Sequence, residues 1–278
     1  MTPRWLGAAS VQLLAIGAVP AGAQTPDVMF VPTNIDVALG MLHLAAVGQG
    51  DVVYDLGSGD GRLVIAAAQR YGARGVGIDI DASLVAEATH NADTAGVADR
   101  VKFRKADLFQ SDLREATVVT LYLTPSLNLR LRPKLFRELR PGARVVSNNF
   151  DMDDWQPDSS IIVKGVALAN TPVRLWIIPA DVRGAWKVMW DALPPFQLRL
   201  QQRFQQVTGS ATIPRPAVAL ADVRLRGDSL HFTVPAADGR GAMRFDGRVA
   251  GDSAGGRVTV EGSATTRIWR AARVGGGG

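Results

Sequence analysis

The chain has no cysteine and only three histidines and three tyrosines in 278 residues. Without thiols there is no disulfide framework, no thiolate nucleophile and no cysteine-based zinc site. The histidines, His43, His90 and His231, are scattered at no metal-ligand spacing. His43 and His90 fall in helical patterns and read as packing or surface residues. Basic residues are not interleaved with aromatics, so nothing points to nucleic acid. No apolar run has the length of a comfortable membrane span: Leu6 to Val19 is short, broken by Gly7 and Gly17 and stopped by Pro20.

That run belongs to an apparent targeting segment. Arg4 supplies a short positive region, the apolar stretch follows, and Ala21-Gly22-Ala23 fits a small-x-small cleavage site with Gln24 as the new N-terminus. The expectation is a signal peptide over 1–23 and export to the periplasm. If the leader stays uncleaved, the chain is cytoplasmic or membrane-anchored. The formal charge of +5 is uneven. Residues 1–182 carry 17 Lys and Arg against 19 Asp and Glu, whereas residues 183–278 carry 14 against 7. The C-terminal surplus is almost all arginine alternating with apolar residues, which reads as a solvated sheet face rather than an anion-binding one.

The most informative residues are Val53-Tyr54-Asp55-Leu56-Gly57-Ser58-Gly59-Asp60-Gly61-Arg62. They read as a buried strand running into a glycine turn, with a helix continuing through Leu63 to Ala68. Glycines let a backbone approach a nucleotide-like cofactor without Cβ clashes. A pyrophosphate wants free amides and positive charge, which Asp55 and Asp60 oppose. They suit a cofactor with an ammonium group and hydroxyls, as S-adenosylmethionine has.

Two further signals agree. Gly75 to Asp81 reads as a second strand ending in acid, with Asp79 18 residues after Gly61, near the spacing that places a carboxylate on ribose hydroxyls. A third strand, Val101 to Arg104, leads into Lys105-Ala106-Asp107-Leu108, where an acid can accept from an adenine amino group and the next amide meets the ring. This order is the class I methyltransferase pattern. A Rossmann-type domain with another cofactor, or with none, is the alternative.

Along the chain, helices are expected at 34–46, 82–95, 112–116 and 127–139, and strands at 117–122, 143–150, 161–166 and 173–178. Together with the first three strands these make a seven-stranded α/β sheet. After residues 179–184 the character changes. Short alternating runs at 197–207, 218–225, 229–234, 242–249, 257–261 and 266–273, separated by Gly-Asp or Gly-Gly turns, argue for a small antiparallel all-β barrel or sandwich. The expected division is a cofactor-binding domain at 28–182, a β domain at 183–274 and a flexible tail at 275–278.

Methyl transfer from a sulfonium is an in-line displacement that needs an aligned nucleophile with a free lone pair, and no metal. In a doubly wound sheet the acceptor approaches the carboxyl ends of the first and fourth strands. Tyr122 and Asn128 follow the fourth strand and are the catalytic candidates for holding an amine. Asn148, Asn149 and Phe150 follow the fifth and form a second wall. Each has a structural alternative: Tyr122 in the core, Asn128 at a helix start. No residue stands out as a general base.

The block Ala116 to Leu127, followed by Lys134-Leu135, Glu138-Leu139, Pro141 to Ser147, Phe150 and Trp155-Gln156-Pro157, resembles the mitochondrial protein-lysine methyltransferases that modify the ATP synthase c subunit and the ADP/ATP translocase. Phe30-Val31-Pro32 and Asp55 to Arg62 match the same family, and the Dot1-type histone lysine methyltransferases are a more distant likeness. The resemblance covers roughly residues 28–165. It implies that Asp55, Gly57, Gly59 and Gly61, with Ser58 and Asp60 between them, hold the methionine end of S-adenosylmethionine. Asp79 and Ile80 would meet the ribose, Asp107 and Leu108 the adenine, and Thr33 would close over the methionyl group. The second strand ends Gly77-Ile78-Asp79-Ile80-Asp81 where that family favours Glu-Leu-Asn-Pro, which keeps a carboxylate. The mitochondrial enzymes lack the C-terminal β domain.

The reading is an S-adenosylmethionine-dependent N-methyltransferase acting on protein lysine, presented as the neutral amine in a channel that strips water from it. The same chemistry on a small molecule is one alternative. An exported, non-catalytic binding protein is the other, and the intact acids Asp55, Asp79 and Asp107 argue against it. No nucleic-acid partner and no stable membrane span after cleavage are expected.

Overall fold

The computed structural model describes residues 31–164, 170–191, 193–213, 216–236 and 241–275. The expected leader at 1–23 and the tail beyond Gly275 lie outside the described residues.

The first layer begins with α1 (Ile35–Leu44), capped by Asn34, whose side chain accepts from the Asp36 amide at 2.8 Å. There follow β1 (Val52–Leu56), α2 (Arg62–Tyr71), β2 (Arg74–Asp79), α3 (Ala82–Thr94), β3 (Val101–Lys105), β4 (Val118–Leu121), α4 (Pro125–Glu138), β5 (Arg144–Asn148), β6 (Ser159–Val163) and β7 (Thr171–Ile177). The sheet order is β3-β2-β1-β4-β5-β7-β6, with β7 antiparallel to both its neighbours. All of β1 is buried, as a central parallel strand covered on both faces must be. Helices α1 and α2 pack on one face over Val53, Val118 and Val146. Helix α4 packs on the other over Tyr54, Val119 and Val145. The chain leaves β1 in one direction for β2 and β3 and returns on its other side for β4. The carboxyl ends of β1 and β4 therefore open a crevice.

Residues 112–116 form a turn and not the expected helix. The Asp112 carboxylate accepts from the Arg114 amide at 2.9 Å, and the Leu113 amide donates to Glu138 at 3.1 Å. Five residues cannot offset helix nucleation against such competing bonds.

The second layer comprises β8 (Gly184–Trp190), β9 (Leu193–Arg203), β10 (Gln206–Thr212), β11 (Ala217–Ala219), β12 (Ala221–Arg226), β13 (Ser229–Val234), β14 (Met243–Ala250), β15 (Ser253–Val260) and β16 (Thr266–Val274). They form one sheet, β11-β10-β9-β8-β16-β15-β14-β13-β12. Its edge strands β11 and β12 are joined through Leu220 alone, whose amide donates to Gly209 at 2.9 Å, so the sheet curls until its edges meet. The interior is aromatic. Phe232 stacks on Phe245 at 4.7 Å between centroids, with Trp269 edge-on to both.

Three expected runs change here, and the one at 218–225 is broken at Leu220 into β11 and β12. The run at 197–207 is two strands, because the chain turns at Phe204-Gln205. The run at 257–261 belongs to a strand that starts at Ser253 and passes through Gly255-Gly256, which read as a turn. Gly247 and Gly256 are opposed across β14 and β15. A Cβ on Gly247 would sit 2.5 Å from the Trp269 indole, so the bare backbone there makes room for the ring. Strand β8, whose Trp186, Val188 and Trp190 face inward, was not among the expected runs.

Candidate active site

The crevice at the switch point is a cavity of about 870 Å³. Its floor is the glycine turn after β1. Gly57, Gly59 and Gly61 have φ of 82°, 52° and 80°, a left-handed conformation that only glycine adopts cheaply. The turn folds back on β2: the amides of Gly57 and Ser58 donate to the Ile78 carbonyl at 2.8 and 3.1 Å, and that of Gly59 donates to Asp79 Oδ2 at 2.9 Å. The Gly61 amide donates to the Ser58 carbonyl at 3.0 Å. These amides are spent inside the protein, so the turn is no phosphate cradle.

Asp55 closes the inner end. It is buried, and Thr120 Oγ1 donates to its Oδ1 at 2.7 Å. Burial pushes its carboxyl up to about 7; the Thr120 hydrogen bond opposes that, and the nearby Asp79 and Asp60 add to it. Asp79 ends β2 on the opposite side, with Oδ1 accepting from the Asp81 amide at 3.0 Å. Asp107 follows β3, accepting from the Phe109 amide at 2.8 Å and the Gln110 side chain at 3.1 Å. Asp60 lines the cavity but is engaged by Arg62, whose Nε donates to it at 2.9 Å. Burial raises the Asp60 carboxyl, but the bonds from Arg62 outweigh it and hold the pKa below its ordinary value. Arg62 also donates to the Thr33 carbonyl at 2.9 Å, which ties the segment before α1 to the glycine turn.

Of the residues named from sequence, Thr33, Asp55, Gly57, Ser58, Asp60, Asp79, Ile80, Asp107 and Leu108 line this cavity. Gly59 and Gly61 shape the turn through their positive φ and are not on its wall; Gly61 faces Phe103 and Ala88. Tyr122 lines it at the end of β4, 36% exposed, and stacks on Phe150 with centroids 6.4 Å apart and planes at 19°. Asn128 is not brought to the cavity. It is fully buried in α4, where its amide nitrogen donates to Ser147 at 3.3 Å and to the Asp151 carbonyl at 3.2 Å. Asn148 is buried and Asn149 exposed, and neither lines the cavity. Sequence reasoning missed Phe109 and Arg130, which close the wall beside Asp107 and Leu108 with the guanidinium 3.8 Å from the ring centroid. Phe109, two residues beyond Asp107, was within reach of the motif. Arg130 reaches the wall from α4, which no local spacing reveals.

The cavity wall combines five carboxylates, Asp55, Asp60, Asp79, Asp81 and Asp107, with the bare backbone of Gly57 and the buried Ser58 hydroxyl, which has no hydrogen-bond partner among the described residues. That set fits a ligand rich in cationic and hydroxyl donors. Residues 55–159 match the family described as the ANTKMT methyltransferase domain. A protein-lysine N-methyltransferase of Saccharolobus islandicus is 42% identical over 154 residues, 55% of this chain and 95% of that protein. The chain belongs to this methyltransferase family. The mouse adenine nucleotide translocase lysine N-methyltransferase is 37% identical over 50% of this chain, which spans 59% of that enzyme. The human lysine N-methyltransferase of the ATP synthase c subunit is 34% identical over 52%, spanning 64% of it. A Salinibacter ruber structure described as an RNA methyltransferase with S-adenosyl-L-homocysteine is 55% identical with a TM-score of 0.52, covering 55% of this chain and 96% of that one. This methyltransferase is thus a class I enzyme that uses S-adenosylmethionine, and its β sheet from β8 onward lies beyond residues 55–159, which match the family.

If Asp55 pairs with a ligand ammonium, its raised carboxyl makes binding depend on pH. Below about 7 its carboxyl is protonated and cannot pair with an ammonium. The ligand's α-amino group stays cationic up to a pKa of roughly 7.7 to 8. Affinity for S-adenosylhomocysteine therefore rises between about pH 5.5 and 7, approaching tenfold per unit at the acid end. In Asp55→Asn the slope vanishes. Calorimetric titration across that range checks it, and an unchanged slope in the variant rules the assignment out. The stability sign is the reverse. A pKa raised on folding stabilises the ligand-free protein below the unfolded value near 3.8, and this is lost as pH rises through about 7.

Proposed function

We propose that this methyltransferase transfers the methyl group to the side-chain amine of a protein lysine. The observation that carries the reading is the Tyr122–Phe150 pair on the cavity wall at the carboxyl ends of β4 and β5. Two rings there give an apolar lining for an alkyl chain and strip water from its terminal amine, which favours the neutral, nucleophilic form. The names of the curated relatives support lysine as acceptor.

In this reading Asp55 pairs with the ammonium of the methionyl group beside Gly57, Ser58, Asp60 and Thr33. Asp79 and Ile80 meet the ribose, and Asp107 and Leu108 the adenine. When bound, S-adenosylmethionine supplies an electrophilic methyl on a positively charged sulfur. Its methyl would be open to the lone pair of the amine in line with the S–C bond, whose bonding pair would stay on sulfur and leave a neutral thioether. The amine then loses a proton to solvent. Tyr122 positions the amine. Asn128 holds the chain at Asp151 instead.

A second reading rests on the likeness to the Salinibacter ruber protein, whose description as an RNA methyltransferase makes RNA the rival acceptor. Methyl-labelled cofactor with a cell extract separates the two. Label recovered as Nε-methyl-lysine after protein hydrolysis supports lysine. Label confined to nuclease-sensitive material sinks it. We also propose that the 1–23 leader directs export and is removed after Ala23, which mass spectrometry of the secreted chain's N-terminus tests.

A further inference from the structure

The turn between β9 and β10 reaches out of the β sheet and inserts into the methyltransferase layer. Phe204 at its tip stacks on Trp155 at 6.0 Å and on Phe136 of α4 at 5.7 Å. Arg132, also on α4, lies 5.2 Å from the same ring. The flanking residues bond to one short segment. Arg203 donates to Asp154 at 2.7 Å, Trp155 Nε1 donates to Gln205 Oε1 at 3.0 Å, and Gln205 Nε2 donates to the Gln156 carbonyl at 2.7 Å. From the other side Arg132 donates to the Met152 carbonyl at 2.7 Å and to Asp154 at 2.5 Å. The segment 151–156 is therefore gripped between α4 and the hairpin tip.

Phe204 keeps this place at a backbone φ of 54°, an uncommon conformation for a bulky residue that persists only where surroundings impose it. Gln202 fixes the base of the turn by donating to the carbonyls of Ala180 at 2.9 Å and Phe204 at 2.7 Å. What is gripped matters for the site. Segment 151–156 follows directly on Phe150, the ring stacked on Tyr122 in the cavity wall, and none of its residues lines the cavity itself.

We propose that Phe204 and Gln205 are positioning residues for acceptor use: the β9–β10 tip sets the place of Phe150 through Trp155 and Asp154. The β layer is then part of the acceptor site without touching the acceptor. The cofactor residues sit at the ends of β1, β2 and β3, whereas the tip bonds and stacks on α4 and segment 151–156. The proposal rests on the lysine reading for its kinetic arm and not for its structural one.

Phe204→Ala and the milder Gln205→Ala are compared with wild type in the full chain, with Phe204→Tyr as the conservative control. Hydrogen exchange is expected to speed up about tenfold or more at amides 150–156 and to stay unchanged at 53–61. The dissociation constant for S-adenosylhomocysteine stays within twofold. With poly-L-lysine as acceptor probe and saturating S-adenosylmethionine, the acceptor KM rises about tenfold in Phe204→Ala while Phe204→Tyr remains near wild type. Uniformly faster exchange, or cofactor affinity falling in step with activity, overturns the proposal by making the contact a general prop. If wild type transfers no methyl to poly-L-lysine, that counts against the lysine reading. The exchange pattern still decides the clamp: faster exchange at 150–156 alone supports it, and no local change overturns it.

Discussion

Asp79→Ala weakens S-adenosylhomocysteine binding by about a hundredfold or more in calorimetric titration. An ionised carboxylate offers about four acceptor sites. Here the Gly59 and Asp81 amides occupy one on each oxygen, at 2.9 and 3.0 Å, and leave the rest for ligand hydroxyls. Charged hydrogen bonds contribute roughly 1.5–3 kcal/mol each, so losing two costs at least about 3 kcal/mol, or two decades in affinity. The glycine turn also loses the acceptor that holds Gly59, so the floor and the polar wall fail together. Binding within threefold of wild type, by a chain that still melts cooperatively, would show that Asp79 only shapes the turn.

Gly61→Val destabilises the fold more than any change on the cavity surface. Gly61 sits before α2 at φ 80°, where a side chain costs roughly 1–2 kcal/mol in the backbone alone. A Cβ there would come 2.5 Å from the Phe103 ring and 2.9 Å from Ala88. Overpacking of that kind adds typically 1–3 kcal/mol. The two together amount to about 2–5 kcal/mol. At roughly 2–4 °C per kcal/mol for a unit of this size, the thermal midpoint falls by about 4–20 °C. Asp79→Ala, by contrast, fills no space and moves the midpoint less. A Gly61→Val midpoint within 2 °C of wild type would mean that α3 and β3 shift apart freely.

The site was legible from sequence where chemistry and backbone geometry are local. Asp55 to Arg62, Asp79 and Asp107 each end or follow a strand, and a parallel sheet with a switch point brings these segments to one crevice. Gly59 and Gly61 were named with the cavity because the motif is contiguous, yet neither is on its wall, and Gly61 faces Phe103 and Ala88 instead. Asn128 failed for a related reason. It lies one residue past Leu127, which is on the wall, and about 100° of helical rotation moved its side chain into the α4–β5 contact. Phe150 and Tyr122 came together as named, from the ends of β5 and β4.

The β layer was legible as a class but not in detail. Alternation marks a strand, but it does not tell a hairpin turn at Phe204-Gln205 from a strand interior, or a Gly255-Gly256 pair in register from a loop. By itself the sequence determined the cofactor chemistry and the α/β class, because acids, glycines and apolar periodicity act through neighbours in the chain. Only the tertiary structure decided which side chains face the crevice, how Arg130 meets Phe109, and that Phe204 buttresses the segment after Phe150. Those contacts join residues tens of positions apart, and packing between layers, which no local pattern encodes, selects them.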